Sequence, residues 1–243
     1  MSGLRPGLFL TGTDTGVGKT FVGGSLAAWL SLAGLRVGVC KPYESGTGES
    51  GGEPADARFL RDRAGSDDPL DEVCVARYRK PLAPGIAAWE EGEVAPSVAL
   101  AAVERVRARS DVTLVEGAGG LLVPLAGAFT VLDLARAVGL PVLVVAADRL
   151  GGINHALLTL RVLAAEGVAA AGLFLNRLPG REDASPATNS AYLGREAGVP
   201  VFGPLPAFAG RPSREALAEH LARNVDLAAL VRAVDPSLAA RFS

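Results

Sequence analysis

The chain has 243 residues, 49% of them hydrophobic, enough apolar material for one large core, and residues 1–243 are read as a single domain. A formal net charge of −2, with no basic run, argues against nucleic acid or an anionic membrane as partner. Apolar stretches are broken before they reach bilayer-spanning length, and "MSGLRPG" lacks the apolar core of a signal peptide, so a cytoplasmic protein is expected.

Short apolar runs alternate with longer helical patterns. The first strand is read at "LFLT" (8–11), a helix at 19–33 and a second strand at "VGVCK" (37–41). The Gly- and Ser-rich stretch "ESGTGESGGEPAD" (44–56) reads as a long active-site loop. A helix at 97–108 leads to the strand "VTLVE" (112–116), one at 131–138 to "VLVVAA" (142–147), and one at 154–166 to "GLFLN" (172–176). "GREDASPATN" (180–189) is expected as a surface loop, and a helix after Arg214 packs on the sheet or on a dimer partner. This alternation predicts an α/β fold with a mostly parallel central sheet and helices on both faces. In such sheets ligands bind beyond the carboxyl ends of the strands.

"GTDTGVGKT" (12–20) sits where the first strand ends and the first helix begins. Glycines let successive N–H groups converge on phosphate oxygens, and the helix N-terminus adds partial positive charge. Lys19 is placed to reach the β- and γ-phosphates, and the Thr20 hydroxyl to hold Mg²⁺. Five residues separate Gly12 from Gly18, one more than the usual G-x-x-x-x-G-K-[ST] spacing. The plain alternative is an ordinary glycine turn with an exposed lysine.

Lys19, Lys41 and Lys80 are the only lysines among 24 basic residues. Two of the three fall at the carboxyl edge of predicted strands, where a compact ammonium suits a phosphate site. For Lys41 the alternative is a solvated strand-end charge. Glu116 closes an apolar strand before a glycine turn, in the manner of a Walker B acid. Asp56 is a second oxygen ligand for the metal or the N-cap of a helix over "ARFLRDR" (57–63). Cys40 and Cys74 form no C-x-x-C, and with only His155 and His220 available a Cys/His zinc site is not expected.

Taken in order and spacing, "GTDTGVGKT", "KPYESG" (41–46), "VEGAGG" (115–120) and "GGINHALLTL" (151–160) resemble the dethiobiotin synthetases of biotin biosynthesis, over the chain to about Pro206. That family shares the longer loop spacing. The resemblance implies a P-loop NTPase-like three-layer α/β/α fold and a homodimeric, Mg²⁺-dependent ligase. It further implies an enzyme that joins CO2 to 7,8-diaminononanoate with ATP, through a carbamate and a carbamic-phosphoric anhydride, giving dethiobiotin, ADP and phosphate.

Carried over by residue, the resemblance makes Lys41 and Lys19 catalytic and Thr20, Asp56 and Glu116 the metal ligands. Gly16, Val17 and Gly18 belong to the phosphate loop, and Gly117, Ala118 and Gly119 to the nucleotide side of the second glycine segment. Asn176 and Arg177 in "LNR", with Leu205, Pro206 and Ala207 in "PLPA", are implied at the adenine. Thr15, Ser45, Gly152, Asn154 and Tyr192 are implied on the substrate side, Asn154 also capping its helix and Tyr192 reaching from a neighbouring subunit. The family often reads P-x-S-P-H where this chain has "PLAPG" (81–85), so Gly85 replaces a histidine.

Other readings are a switch-type P-loop ATPase, which carries an extra lysine where this chain has Thr13 and Asp14, and a small-molecule kinase, which needs no CO2. A metal-cluster carrier would want paired cysteines. A purely structural nucleotide-binding module gives Lys41 and Ser45 no purpose.

Overall fold

The computed structural model describes residues 5–48, 52–180, 186–208, 210, 212–235 and 238. In chain order its elements are β1 (Gly7–Gly12), α1 (Lys19–Leu32), β2 (Val37–Cys40), β3 (Tyr43–Ser45), α2 (Ala55–Ala64), α3 (Leu70–Val73), β4 (Ala76–Tyr78), α4 (Pro84–Glu91) and α5 (Pro96–Arg109). They continue as β5 (Val112–Gly120), β6 (Pro124–Ala126), β7 (Phe129–Thr130), α6 (Val131–Val138), β8 (Val142–Ala147) and α7 (Gly152–Ala165). The last are β9 (Ala170–Asn176), α8 (Pro186–Glu196), β10 (Val201–Leu205), α9 (Arg214–Asn224) and α10 (Leu227–Val234).

The main sheet runs β10-β9-β8-β1-β5-β2, and every pair in it is parallel. Alternate side chains along each strand enter opposite cores, as the two-residue period of a strand requires. On one face Leu8, Leu10, Leu114, Leu143 and Val145 pack with α1, α2, α9 and α10. On the other, Phe9, Val115, Val142 and Val144 pack with α5, α6, α7 and α8. The sheet is therefore buried on both sides, which is why its central strands read as unbroken apolar runs. The expected three-layer α/β/α architecture is present. Among the described residues no helix is long and apolar enough to cross a membrane.

Three expectations about local structure need correction. Gly117–Gly120 is not a turn after Glu116: β5 continues to Gly120, which pairs with Gly12 of β1. The segment expected as a loop at 44–56 contains the end of β3 and the start of α2, with residues 49–51 outside the described set. The loop expected at 180–189 contains the first turn of α8, with residues 181–185 likewise outside it. Proline at the first position of a helix carries no strand or loop meaning, since the missing N–H would be unpaired there anyway. Edge strand β10 escaped the sequence reading because Gly203 and Pro204 interrupt it, which an edge tolerates.

Candidate functional site

At the carboxyl end of β1 the chain turns through Gly16 and Gly18, both at positive φ (74° and 90°). Gly18 is also crowded: a Cβ there would lie 2.2 Å from Asn176 Nδ2. A side chain at this position would have to displace the amide that closes the loop onto β9. Gly18 is the N-cap of α1, which has neither a capping side chain nor an acid in its first turn. Its first N–H groups are left for an anion. Lys19 is 7% exposed, and its ammonium donates to the Asp14 carbonyl at 3.3 Å, inside the loop. Burial draws the Lys19 pKa below the ordinary lysine value, with Glu116 opposing and Lys41 reinforcing the shift.

Lys41 follows β2 directly and is 5% exposed, which overturns the alternative of a solvated strand-end charge. Its ammonium donates to Glu116 Oε1 at 2.7 Å and to Asp56 Oδ2. Burial by itself would lower the Lys41 pKa, but Glu116 and Asp56 together hold it above the ordinary value. Glu116, 1% exposed, also accepts the Thr20 hydroxyl on Oε1 at 2.8 Å. Its other oxygen, Oε2, is buried without a hydrogen-bond partner.

A hydroxyl and two carboxylates, one with an idle buried oxygen, are hard donors of the kind Mg²⁺ accepts. Protein ligands this few suit an ion that takes its remaining oxygens from phosphates and water. Thr20, Asp56 and Glu116 therefore fit a magnesium site.

Asp56 does not cap α2. Pro54 occupies the N-cap position, Asp56 lies in the first turn, and Glu44 accepts the Asp56 and Ala57 N–H groups. The capping alternative for Asp56 is thus replaced by a cap from another strand. Glu44 was missed in the sequence, where it reads as one more polar residue in a loop.

These groups line a cavity of about 530 Å³. Thr15, Ser45, Ala118 and Gly119 are on its wall, as are Gly16, Gly18 and Glu44. Pro81, Leu82, Ala83, Pro84 and Val123 also line it. Gly117 stands behind the wall, where a Cβ would meet Val131 at 2.6 Å. Gly18 is shared with a second cavity of about 750 Å³, lined by Asn176, Arg177, Ala207 and the rings of Phe21, Phe59 and Phe208. Arg63 lies over Phe59 at 4.9 Å from the ring centroid. Asn176 Nδ2 donates to the Val17 carbonyl at 3.0 Å while its Oδ1 is buried without a partner. Arg177 is held by Asp148, whose carboxylate also accepts Asn189 Nδ2 at 3.0 Å.

Leu205 and Pro206 are not on this wall. The Leu205 carbonyl accepts the Arg177 N–H at 2.9 Å, and that of Pro206 faces His220 Nε2 at 2.8 Å. Gly152, Asn154 and Tyr192 line neither cavity. Asn154 does not cap α7: Gly151, at φ 83°, is the N-cap, and no side chain caps it. Tyr192 projects from α8 with 43% exposure.

A family described as "AAA domain" matches residues 6–210. The ATP-dependent dethiobiotin synthetase BioD of Anaeromyxobacter dehalogenans (strain 2CP-C) is 46% identical over 190 residues, 78% of this chain and 84% of that protein. The protein of the same name from Thermodesulfovibrio yellowstonii is 36% identical over 239 residues, 94% of this chain and 99% of its own. The chain belongs to the dethiobiotin synthetase family.

This synthetase is accordingly an ATP-using ligase of biotin biosynthesis. Its fold is similar to that of the septum site-determining protein MinD from Pyrococcus horikoshii, solved with Mg-ADP. The TM-score is 0.53 at 18% identity, over 89% of the synthetase and 86% of MinD. A ParA family ATPase from Chlorobium tepidum aligns with TM-score 0.50 at 13% identity, over 96% and 93% of the two chains. At these identities the likeness speaks to the P-loop fold.

Proposed function

We propose that the synthetase closes the ureido ring of dethiobiotin from 7,8-diaminononanoate, CO2 and ATP in the cavity of about 530 Å³. The ATP phosphates rest on residues 12–20, and the nucleoside enters the cavity of about 750 Å³. The observation that carries this reading is the buried Lys41 ammonium, held between Asp56 and Glu116 beside the phosphate loop.

The nitrogen of one substrate amine attacks CO2 and loses a proton to solvent, giving a carbamate. A carbamate oxygen attacks the γ-phosphorus, the bond to the bridging oxygen breaks, and ADP leaves. The second amine attacks the carbonyl carbon of the mixed anhydride. Its C–O bond to phosphorus-bound oxygen breaks, phosphate departs, and the nitrogen loses a proton. Negative charge gathers first on the carbamate and then on the transferring phosphoryl group, so fixed cations belong at that place. Lys41, kept protonated by its carboxylates, and Lys19, whose burial cost is relieved by an incoming phosphate, supply them. Thr20, Asp56 and Glu116 would hold Mg²⁺, which when bound neutralises phosphate charge and makes the γ-phosphorus more electrophilic. Ser45 and Thr15 contact the diamine, and the unpartnered Asn176 Oδ1 accepts an amino group of the base.

A homodimer completes the reading. Gly152, Asn154 and Tyr192 lie outside their own chain's cavities, and two large apolar side chains are exposed beside them, Leu150 just before α7 and Leu158 within it, which supports α7 meeting a second copy. All reactants are small and soluble, in keeping with an enzyme of the cytoplasm.

The test is incorporation of labelled bicarbonate into acid-stable product with Mg-ATP and the diamine, each omitted in turn, with ADP followed in parallel. Label retained only in the complete mixture supports the reading; ADP release that ignores the diamine overturns it.

A further inference from the structure

Glu44 lies three residues beyond Lys41, in β3, and is 6% exposed. Both of its oxygens are committed to the backbone of α2: Oε1 accepts the Asp56 N–H and Oε2 the Ala57 N–H, each at 2.9 Å. These are the second and third residues of the helix, whose N–H groups have no partner within it. A local Ser, Thr, Asp or Asn would ordinarily take one of them. Here Pro54 stands at the N-cap and has no side-chain acceptor to offer. A carboxylate from a separate strand serves instead, favoured by the positive end of the helix. Burial pushes the Glu44 pKa up, against the pull of the Asp56 N–H and of Lys41. An acid kept in such a place, with both oxygens on one helical turn, acts on that turn.

The turn in question carries Asp56, whose side chain points back to Lys41. We propose that Glu44 is a positioning residue: from β3 it fixes the first turn of α2, and so holds the Asp56 carboxylate where the divalent cation binds. The inference rests on the reading of Asp56 as a metal ligand. The segment that follows Lys41 and the helix that presents Asp56 are thereby one unit, tied by two hydrogen bonds whose donors lie in the helix backbone.

Mn²⁺ serves as the probe, its free concentration read by electron paramagnetic resonance in the presence of intact protein and ADP. Glu44→Gln keeps the shape but turns one acceptor into a donor that faces an N–H. It is expected to weaken Mn²⁺ binding by about 10-fold, the low end for loss of a group that orients a metal ligand. ADP binding in excess chelator is expected to stay unchanged, which reports an intact fold. Adding Pro54→Ser supplies a local, uncharged cap, and the double variant is expected to recover Mn²⁺ binding. Asp56→Asn is measured beside them. Loss in Asp56→Asn without loss in Glu44→Gln overturns the positioning role alone. No loss in Asp56→Asn overturns the metal-ligand reading beneath it. Loss in Glu44→Gln that Pro54→Ser fails to restore also overturns the proposal, because Glu44 would then act through its charge or as a ligand. If Glu44→Gln does not fold, Glu44→Asp with Pro54→Ser carries the same comparison.

Discussion

Lys41 and Glu116 meet because two parallel strands are in register. Cys40 of β2 pairs with Val115 of β5, and one residue further the Lys41 ammonium donates to Glu116 Oε1 at 2.7 Å. The ladder thus brings the cation to its carboxylate, and just past β2 the Lys41 N–H is fixed on the Val73 carbonyl at 2.8 Å. Lys41→Ala is expected to lower kcat by roughly 10²–10³-fold, as removal of a preorganised charge donor does elsewhere. Lys41→Arg is expected to restore little, since a planar fork does not fit where a compact ammonium bridges two carboxylates. Single-turnover rates with saturating ATP check both; a wild-type rate in Lys41→Ala removes this residue from the chemistry.

Asp148 joins three elements. Its N–H donates to the Asn176 carbonyl, and its fully buried carboxylate accepts Arg177 Nε at 3.1 Å and Asn189 Nδ2. Arg177 is 45% exposed, so solvent screens the ion pair and the buried amide of Asn189 is the costlier orphan. Asp148→Ala is expected to lower stability by about 1–3 kcal/mol. A shift in the urea midpoint at constant slope measures it, and an unmoved midpoint contradicts it.

At the start of α6, Thr130 and Asp133 form a reciprocal cap: the Thr130 N–H reaches Asp133 Oδ2 at 2.9 Å, and the Asp133 N–H reaches Thr130 Oγ1 at 3.3 Å. Thr130→Ala is expected to cost about 1 kcal/mol at neutral pH. The Thr130 hydroxyl, then its N–H, hold the Asp133 pKa below the ordinary 3.8. A depressed carboxylate stabilises the fold above its unfolded pKa and loses that contribution as pH falls through the folded one. The gap between wild type and Thr130→Ala is therefore expected to narrow below pH 3.8. Unfolding curves across that window test it.

Gly85 marks a departure from the family pattern, and the structure gives it a physical reason. A Cβ there would lie 3.0 Å from Pro124 Cβ and 3.1 Å from the Pro124 carbonyl atoms, so α4 and β6 approach backbone to backbone. Gly85→His is expected to destabilise by roughly 1–3 kcal/mol through overpacking, rather than to improve activity. Because Pro84 and Val123 line the cavity proposed for the diamine, its KM is expected to rise as well. A variant as stable and active as the parent would show that the α4–β6 contact yields freely.

The phosphate loop, the buried strands and the lysine and acid at their ends were legible because each is written locally: glycines before "GKT", apolar runs of strand length, and a charge at the end of each run. Gly117–Gly120 misled because glycine usually ends a strand, whereas here it lets β5 lie close against Phe9 and Val131. Glu44 could not be read because its meaning depends on a proline ten residues later, across a segment that does not run straight. Asn154 looked like a cap by composition, but the turn at Gly151 begins α7 earlier. What escaped the sequence reading was side-chain work done on another element's backbone.

The order of the strands has a further consequence for how the enzyme comes into being. β1 and β2 are neighbours along the chain among the sheet's strands, yet β5 lies between them in space. A nascent chain extended only through α5 contains the phosphate loop, Lys41 and Asp56 but not the strand that bears Glu116. Until β5 inserts, two buried-strand edges are unpaired and the ammonium has lost its most buried partner. Such long-range pairing is intrinsically slow, because the loop must close before the contacts that reward it can form. If the Lys41–Glu116 pair is needed for nucleotide binding, affinity is expected to arise with completed sheet assembly, and in pulse-labelled hydrogen exchange the β5 amides should gain protection together with nucleotide binding rather than after it.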